Sequence, residues 1–281
     1  MQLKDLMREN VKDEYGIRKL QNVILNIMTD IDTVCRKYGI NYYIIGGTAL
    51  GAIRHGGFIP WDDDLDIAMT RENYNHFLEV SRKEMAGNYY IQEGGVDWPI
   101  NYSKIRLKGT YINEFEENVF VEKEKQGIFV DVFPLDNVPD GKIGQIWWYV
   151  CGKALVAYSL HKRGYQSASV GRKVIMFLSR PIGIKWVRDY LVYQVTKYNR
   201  KPTKYIGGFS LISRFHNAFT VASNWGVPQY VPFEKVELMA PADIKAFLTF
   251  YFGDYMQLPP VDKRQSKHFA AVEYGSYEVV K

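Results

Sequence analysis

The residues most suggestive of chemistry form an acidic run directly after a tryptophan. Four of the five residues from 62 to 66 are aspartates, namely Asp62, Asp63, Asp64 and Asp66. Carboxylates held together repel each other, and a divalent cation removes that cost. Oxygen ligands without His or Cys favour Mg²⁺ or Mn²⁺ over zinc, and such ions commonly bind together with phosphates. The run therefore predicts a metal and phosphate site rather than a solvated acidic loop.

Strand geometry divides these aspartates into two pairs. In a strand, side chains two apart share a face, so a strand over "DLDIAM" projects Asp64 and Asp66 together. Asp63 is out of register with them, and Asp62 lies close to Pro60, so we assign both to the loop. The third predicted ligand is Asp131 in the apolar strand "GIFVDVFPLD", because a buried carboxylate needs a partner or a metal. The alternative for Asp131 is an exposed position on an edge strand.

A glycine turn precedes the acidic run. The buried strand predicted over "INYYIIGG" ends at Gly46 and Gly47, and a short helical segment follows from Thr48. Turn amides and helix N-termini both present N–H donors, which is how phosphates are often bound. An ordinary turn remains the alternative for such a short motif.

Cations flank the same region and could neutralise phosphate oxygens. Arg54 and His55 end the short helix after the glycine turn. Lys104 and Arg106 share one face of a strand predicted over "NYSKIRLKG". For each of these side chains, ordinary ion pairing with the aspartates is an equal alternative.

The surrounding elements are predicted from periodicity. Apolar residues at steps of three and four from Ile17 to Tyr38 indicate a core helix, with Gly39 at its C-terminus. Thr70 is a suitable N-cap for a helix over "TRENYNHFLEVSRKE". A further helix is predicted in "ADIKAFLTFYFGDYMQLPP", ended by glycine and proline signals. Helices mixed with these strands predict an α+β fold.

Composition restricts the class of protein. The chain has 281 residues, of which 47% are hydrophobic, so a folded core is expected rather than disorder. Two cysteines give neither a disulfide framework nor a zinc-ligand spacing. The opening "MQLKDLMREN" lacks the apolar core of a secretory signal, so we expect a cytoplasmic protein. Residues 143–160 are interrupted by Gln145, two glycines and Lys153, so a membrane span is not expected.

Charge is distributed unevenly along the chain. Residues 142–204 contain 13 Lys and Arg and one acidic residue, so their formal net charge is +12, whereas the whole chain carries +5. The same segment is rich in Trp and Tyr. Contact with an anionic membrane surface would explain this composition, and a helical subdomain with a solvated basic face is the alternative.

Several of these motifs together resemble one family. The stretches "YIIGGTALGAIRHGGFIPWDDDLDIAMTRENY", "KIRLKGTYI", "VDVFPLD" and "FGDYMQLPPVDKRQSKHF" resemble the LicD family of phosphocholine transferases, which are kin to the fukutin-related proteins. The resemblance implies a nucleotidyltransferase-like mixed sheet flanked by helices. The segment 142–204 matches none of these motifs, and its composition alone predicts a helical basic insertion. Motifs and composition together divide the chain into a catalytic core in 1–141, a basic aromatic helical subdomain in 142–204 and a C-terminal part in 205–281 that completes the core.

The resemblance also implies a reaction. Phosphocholine, or a related phospho-alcohol, would move from a CDP-alcohol to a hydroxyl of a cell-surface glycan or teichoic acid precursor, releasing CMP. The acceptor could be linked to a lipid. The metal, Mg²⁺ or Mn²⁺, would be held by Asp64, Asp66 and Asp131. Asp131 is the better candidate either for the general base or for binding a metal on the nucleophile side.

Groups for the donor are predicted in three places. Lys263 and Arg264, with His268, belong to the tail motif, which would contact the nucleotide or act as a structural clamp. A choline head is commonly held by aromatic faces, for which Trp61, Trp98 and Tyr102 are candidates, although each could simply be packed. The identity of the alcohol is not readable from the sequence.

Two other functions remain open. Nucleotidyltransferase folds also use NTPs on nucleic acids or proteins, and a basic aromatic segment suits nucleic acid, although no nucleic-acid partner is expected. A non-catalytic assembly protein on an enzyme scaffold is the third hypothesis, and the presence of all three aspartates argues against it.

Overall fold

The computed structural model describes residues 2–9, 11–95, 99–114, 122, 125–211, 214–265 and 269–280. The chain forms two compact units. The first consists of Met1–Gln92, Lys104–Val132 and Asn224–Lys281, and the second of Glu93–Ser103 and Phe133–Ser223. The division into functional segments at residues 141 and 204 stays a prediction.

Strands and helices alternate from β1 to β4, and three further strands follow. In order they are β1 (Leu3–Lys4), α1 (Arg18–Tyr38), β2 (Tyr43–Ile44), α2 (Gly46–His55), β3 (Asp66–Thr70), α3 (Arg71–Glu84), β4 (Tyr89–Gln92), β5 (Ser103–Leu107), β6 (Tyr111–Glu114) and β7 (Phe129–Val138).

Helices dominate the middle of the chain. The elements there are α4 (Lys142–Lys162), α5 (Val170–Leu178), α6 (Lys185–Thr196), β8 (Tyr205–Gly207) and β9 (Thr220–Val221). The chain then returns to strands and one helix with β10 (Gln229–Phe233), β11 (Val236–Ala240), α7 (Ile244–Phe252), β12 (Phe269–Glu273) and β13 (Val279–Val280).

The central sheet of the first unit has the strand order β2-β3-β7-β5-β4. Strands β2 and β3 are antiparallel, as are β4 and β5. Helices α2 and α3 pack against this sheet and α1 packs against α3, so the predicted mixed α+β architecture is confirmed. Because β7 has a neighbour on each side, Asp131 lies on an interior strand, and the edge-strand alternative is wrong.

Local sequence signals account for several helix boundaries. Helix α1 ends at Gly39, whose φ of +66° lies in the left-handed region that favours glycine. Thr70 is the N-cap of α3, and its hydroxyl accepts a hydrogen bond from the Asn73 amide. Both boundaries confirm the predictions from sequence.

Among the residues that the structure describes, three small two-stranded sheets complete the first unit. Strands β10 and β11 are antiparallel, as are β12 and β6, whereas β1 and β13 are parallel. The turn between β10 and β11 contains Glu234, whose φ is +53°.

The second unit is mainly helical. The buried residues Trp148, Cys151 and Leu155 of α4 share a core with Val195 of α6. The Trp148 indole Nε1 donates to the Val195 carbonyl at 3.0 Å, which satisfies its only polar group. The predicted helical character of the basic insertion is confirmed. Among the residues described, no helix is both long and apolar enough to cross a membrane.

Candidate active site

The glycine pair at the start of α2 allows two carboxylates to approach the backbone. Gly46 has a φ of +56°, and a Cβ there would lie 3.3 Å from Oδ2 of Asp66. A Cβ on Gly47 would lie only 2.4 Å from Oδ2 of Asp62, closer than real Cβ contacts allow. Glycine is therefore needed at both positions, because the side chains of the acidic run approach the backbone closely and because the turn uses a positive φ at Gly46.

Thr48 joins this turn to the first residue of β3. Its Oγ1 accepts a hydrogen bond from the Asp66 amide at 2.9 Å, and the Ile45 amide donates to the Asp66 carbonyl at 3.1 Å. These bonds hold Asp66 beside the N-terminus of α2. Ile45 provides no side-chain cap for that helix end.

Five aspartates gather at this end of the sheet, and we refer to them as the acidic group: Asp62, Asp63, Asp64, Asp66 and Asp131. One carboxylate oxygen each from Asp62, Asp63 and Asp64 lies within 4.8 Å of the others. Asp63, assigned to the loop from the sequence, is buried. Strand β3 begins at Asp66, so Asp64 lies just before the strand and the alternation argument does not govern its orientation.

Asp66 is the most perturbed member of the acidic group. Burial raises its pKa well above the usual range, and the charges of Asp64, Asp131 and Asp62 raise it further. Lys104 acts in the opposite direction. This mutual influence places the three predicted ligands, Asp64, Asp66 and Asp131, in one electrostatic environment.

Lys104 and Asp131 form an ion pair in the interior of the sheet. The Lys104 Nζ lies 3.2 Å from Oδ1 of Asp131, and both side chains are largely buried. The same ammonium lies 3.7 Å from the ring centroid of Phe129, two residues before Asp131 on β7. Lys104 therefore lies at the border of the acidic group.

Arg106 has a different environment from Lys104. It is 1% exposed, its Nε donates to Oε1 of Gln92 at 2.5 Å, and its Nη1 donates to the Gly127 carbonyl at 3.1 Å. These are the contacts of a cation that stabilises the sheet. A phosphate-binding role for Arg106 stays a prediction.

A second cluster, the cationic group, consists of Arg54, His55 and Arg264 around Trp61. The Arg54 Nε donates to Nε2 of His55 at 3.0 Å. The Arg264 guanidinium lies 5.6 Å from the Trp61 ring centroid, and the His55 ring lies 6.1 Å from it. Burial and the charge of Arg264 lower the pKa of Arg54, whereas Asp62 raises it. Asp62 thus connects the acidic and cationic groups electrostatically.

His55 is held in its neutral form. Burial lowers its pKa to about 4, and the charges of Arg54 and Arg8 contribute to the same shift. Its Nε2 is therefore an acceptor for Arg54 at neutral pH. The cations in this cluster at neutral pH are the arginines.

Three residues that sequence reasoning missed hold the site in position. Gln21 of α1 donates through Nε2 to the carbonyls of Ile59 and Asp62, at 3.2 and 2.9 Å. Arg8 donates through Nη2 to the His55 carbonyl at 2.6 Å and is paired with the buried carboxylate of Glu234. Buried polar residues inside an apolar helix were the available signal for Gln21, and none was available for Arg8.

The remaining candidates are distributed over the two units. Lys263 is exposed in a short helical turn next to Arg264. Tyr102 stacks on Phe133 in the second unit at 4.5 Å. Trp98 and His268 lie outside the described residues.

The acidic group has the chemistry expected of a Mg²⁺ or Mn²⁺ site. Its members are all carboxylates, the donors that hard divalent cations prefer. The buried, repelling carboxylates also explain why a cation would be needed for all of them to ionise. Bound near the N-terminus of α2 and the cationic group, a diphosphate would meet complementary charge on several sides.

Comparison with known proteins supports one family. Residues 39–151 match the family model described as LicD/FKTN/FKRP, nucleotidyltransferase domain. The chain is 30% identical over 258 residues to the lipopolysaccharide cholinephosphotransferase LicD of Haemophilus influenzae, covering 90% of this chain and 96% of that protein.

Two further relatives match shorter stretches. The human ribitol 5-phosphate transferase FKRP is 40% identical over 60 residues, covering 21% of this chain and 12% of that protein. A Rickettsia prowazekii protein, RP689, is 42% identical over 129 residues, covering 43% of this chain and 47% of its own length.

Proposed function

The chain belongs to the LicD family of phosphotransferases, and we propose that it transfers phosphocholine from CDP-choline to a sugar hydroxyl of a cell-surface glycan. The observation that carries this proposal is the acidic group lying against the Gly46–Gly47 turn at the start of α2. A carboxylate cluster beside uncapped helix amides can hold a divalent cation and a diphosphate together.

The choice of choline follows from the extent of the similarity. The relative that acts on choline matches over nearly its whole length, whereas the ribitol phosphate transferase matches over 60 residues only. Trp61 is a less suitable choline site than the sequence suggested, because the Arg264 guanidinium already lies over its ring. We therefore leave the choline pocket unassigned.

We assign the metal to Asp64, Asp66 and Asp131, with Asp62 and Asp63 close enough to contribute a ligand. When bound, Mg²⁺ or Mn²⁺ supplies charge that offsets the negative charge building on the diphosphate. Gln21 and Thr48 keep the acidic group in place through the Asp62 carbonyl and the Asp66 amide.

In the proposed reaction the acceptor hydroxyl attacks the choline-bearing phosphorus. A new bond forms between that oxygen and phosphorus, the bond to the bridging oxygen breaks, and CMP leaves with the electron pair. Asp131 accepts the hydroxyl proton, and Lys104 at 3.2 Å stabilises its carboxylate beforehand. Arg54 and Arg264 bind the diphosphate from the cationic group, with Lys263 as an exposed addition.

The acceptor is proposed as a class of molecule, a cell-surface glycan or its precursor. The Haemophilus relative is named for lipopolysaccharide, and a teichoic acid precursor offers the same sugar hydroxyl chemistry. Because CDP-alcohols are cytoplasmic nucleotides, we expect the reaction on the cytoplasmic side. A glycan precursor would then be modified before export.

Calorimetric binding tests the donor and the metal together. CDP-choline, CDP-ribitol, CDP-glycerol and CTP are titrated with Mg²⁺ into the wild type and the Asp64→Ala, Asp66→Ala variant. We expect CDP-choline to bind most tightly and only when both aspartates are present. Tighter binding of another CDP-alcohol would retain the family chemistry but refute choline as the donor.

Two outcomes would replace the proposal altogether. Equal or better binding of CTP would favour a nucleotidyltransferase that uses an NTP. Absence of metal-dependent binding by any of the four nucleotides would favour a non-catalytic protein. Release of CMP on addition of a purified glycan acceptor then tests the transfer step itself.

A further inference from the structure

The second unit carries an apolar stripe that faces solvent. Helix α5 contains Val170, Val174, Phe177 and Leu178 at the i, i+4, i+7, i+8 spacing of a single helix face. Their exposed fractions are 74%, 49%, 57% and 67%, respectively. The side chain that packs inward is Met176, on the opposite side of the helix, with 7% exposed. Helix α5 is therefore amphipathic with its apolar side outward, the reverse of an ordinary surface helix.

A second outward stripe lies on α6. Trp186, Tyr190 and Tyr193 follow the i, i+4, i+7 spacing, and each is at least half exposed. Trp and Tyr carry an apolar ring and a polar edge, so they are the side chains found at the level of lipid headgroups. The two stripes belong to the same unit and flank the short turn Arg180–Gly183.

Basic residues surround the α5 stripe. Arg172 and Lys173 are exposed on the helix itself, and the Arg180 guanidinium lies 4.4 Å from the ring centroid of Phe177. The one acidic residue of the 142–204 segment, Asp189, is paired with Lys185 at 2.5 Å. The net charge of +12 on this segment therefore favours a strongly anionic partner.

We infer that α5 and α6 dock the protein on an anionic phospholipid bilayer, with the α5 stripe inserted at the headgroup boundary and the surrounding Lys and Arg on the lipid phosphates. An outward apolar stripe flanked by cations is the pattern of interfacial helices. Nucleic acid would use the charge but not the aliphatic stripe. The inference concerns binding by the second unit and does not rest on the proposed reaction.

Vesicle sedimentation tests the inference with the whole protein. Phosphatidylcholine vesicles with and without phosphatidylglycerol are compared at about 50 mM and about 500 mM NaCl. We expect binding to the anionic vesicles that weakens at high salt, and little binding to phosphatidylcholine alone. The Phe177→Ser, Leu178→Ser variant should bind anionic vesicles at least about tenfold more weakly, since each substitution removes a side chain from the interface.

Control variants distinguish insertion of the stripe from purely electrostatic binding and from loss of the folded structure. Val227→Ser, at an equally exposed position of the first unit, should bind like the wild type. Quenching of tryptophan fluorescence by brominated lipid should decrease in Trp186→Phe. Thermal unfolding of every variant should match the wild type, because these side chains are exposed.

Each contrary outcome overturns the inference. Failure to bind anionic vesicles at low salt excludes membrane docking. If high salt abolishes vesicle binding but the Phe177→Ser, Leu178→Ser variant binds like the wild type, insertion of the stripe is excluded. Another contrary result would be a wild-type dimer in sedimentation equilibrium, a monomeric Phe177→Ser, Leu178→Ser variant and no vesicle binding. The stripe would then be an interface between two copies of the chain.

Discussion

Neutralising one member of the acidic group should stabilise the metal-free protein. The perturbation is Asp64→Asn, which preserves the shape of the side chain and removes its charge. Asp64 lies within 4.8 Å of a carboxylate oxygen from Asp62 and from Asp63. At that distance two unit charges repel by about 0.9 kcal/mol in bulk water and about 3.5 kcal/mol at an effective dielectric constant of about 20.

Because Asp64 is half-buried, its repulsion energy should lie between these two values. We therefore expect the Asp64→Asn substitution to raise the free energy of unfolding by about 1–3 kcal/mol in EDTA. The entropy of unfolding of a chain of this length is about 0.6 kcal/mol/K, so the melting temperature should rise by about 2–5 °C. In about 10 mM Mg²⁺ the wild type should instead have the higher melting temperature, because it retains all of its carboxylates and gains more free energy from metal binding.

Thermal unfolding followed by circular dichroism, in EDTA and in Mg²⁺, measures both effects. The matched control is Asp254→Asn, an exposed aspartate outside the acidic group, which should change the melting temperature little in either solution. A lower melting temperature for Asp64→Asn in EDTA would refute the repulsion argument. A Mg²⁺ response equal to that of the wild type would refute the ligand assignment.

Three other predictions concern the groups around the site. The imidazole of His55 should titrate near pH 4 by NMR. Because the unfolded state binds the proton more readily, the free energy of unfolding should fall as the pH decreases from about 6.5 to about 4. The His55→Gln variant should lack this contribution to the pH dependence. Glu234→Ala should cost about 3–5 kcal/mol in urea unfolding, because the side chain is buried and leaves Arg8 without its partner. Gly47→Ala should displace Asp62, which its Cβ would approach to 2.4 Å, and should weaken Mg²⁺-dependent nucleotide binding.

Matched variants make these three results interpretable. Gly87→Ala adds a Cβ with no atom within 4 Å and should leave nucleotide binding unchanged. Glu237→Gln removes an exposed carboxylate three residues after Glu234 and should have little effect on unfolding. A titration of His55 near its usual pKa would contradict the burial of its ring among arginines.

The parts of the fold that follow local rules were predictable. The Gly39 end of α1, the Thr70 cap of α3 and the strand around Asp131 all depend on neighbours a few residues away. Electrostatics was equally informative, since crowded aspartates in a basic chain predict a cation site. These signals were sufficient to propose a candidate site.

The rest depends on contacts between distant residues. Asp62 and Asp63 join the acidic group because the loop after Trp61 is held by Gln21, some forty residues earlier, and alternation along a strand gives no information on such a loop. Lys104 and Arg106 share a face, yet one is paired with Asp131 and the other with Gln92. The pairing depends on which strands become neighbours.

Helix α5 illustrates the opposite difficulty. Its periodic apolar pattern would ordinarily indicate a core face, because burial is what usually selects such a pattern. The structure turns that face outward and packs the helix through Met176. Periodicity identifies an amphipathic helix, but it does not show whether the apolar side contacts protein or lipid.

The hydrogen bond from Arg8 to His55, supported by Glu234, also affects when the parts of the site can assemble as the chain is synthesised. The glycine turn lies about twenty residues before Asp62 to Asp66, whereas Asp131 joins them from β7 much later in the chain. The cationic group requires the first residues of the chain, a hairpin near residue 234 and Arg264. The cationic group can therefore be complete only after residue 264 has been synthesised, whereas the last aspartate of the acidic group is residue 131.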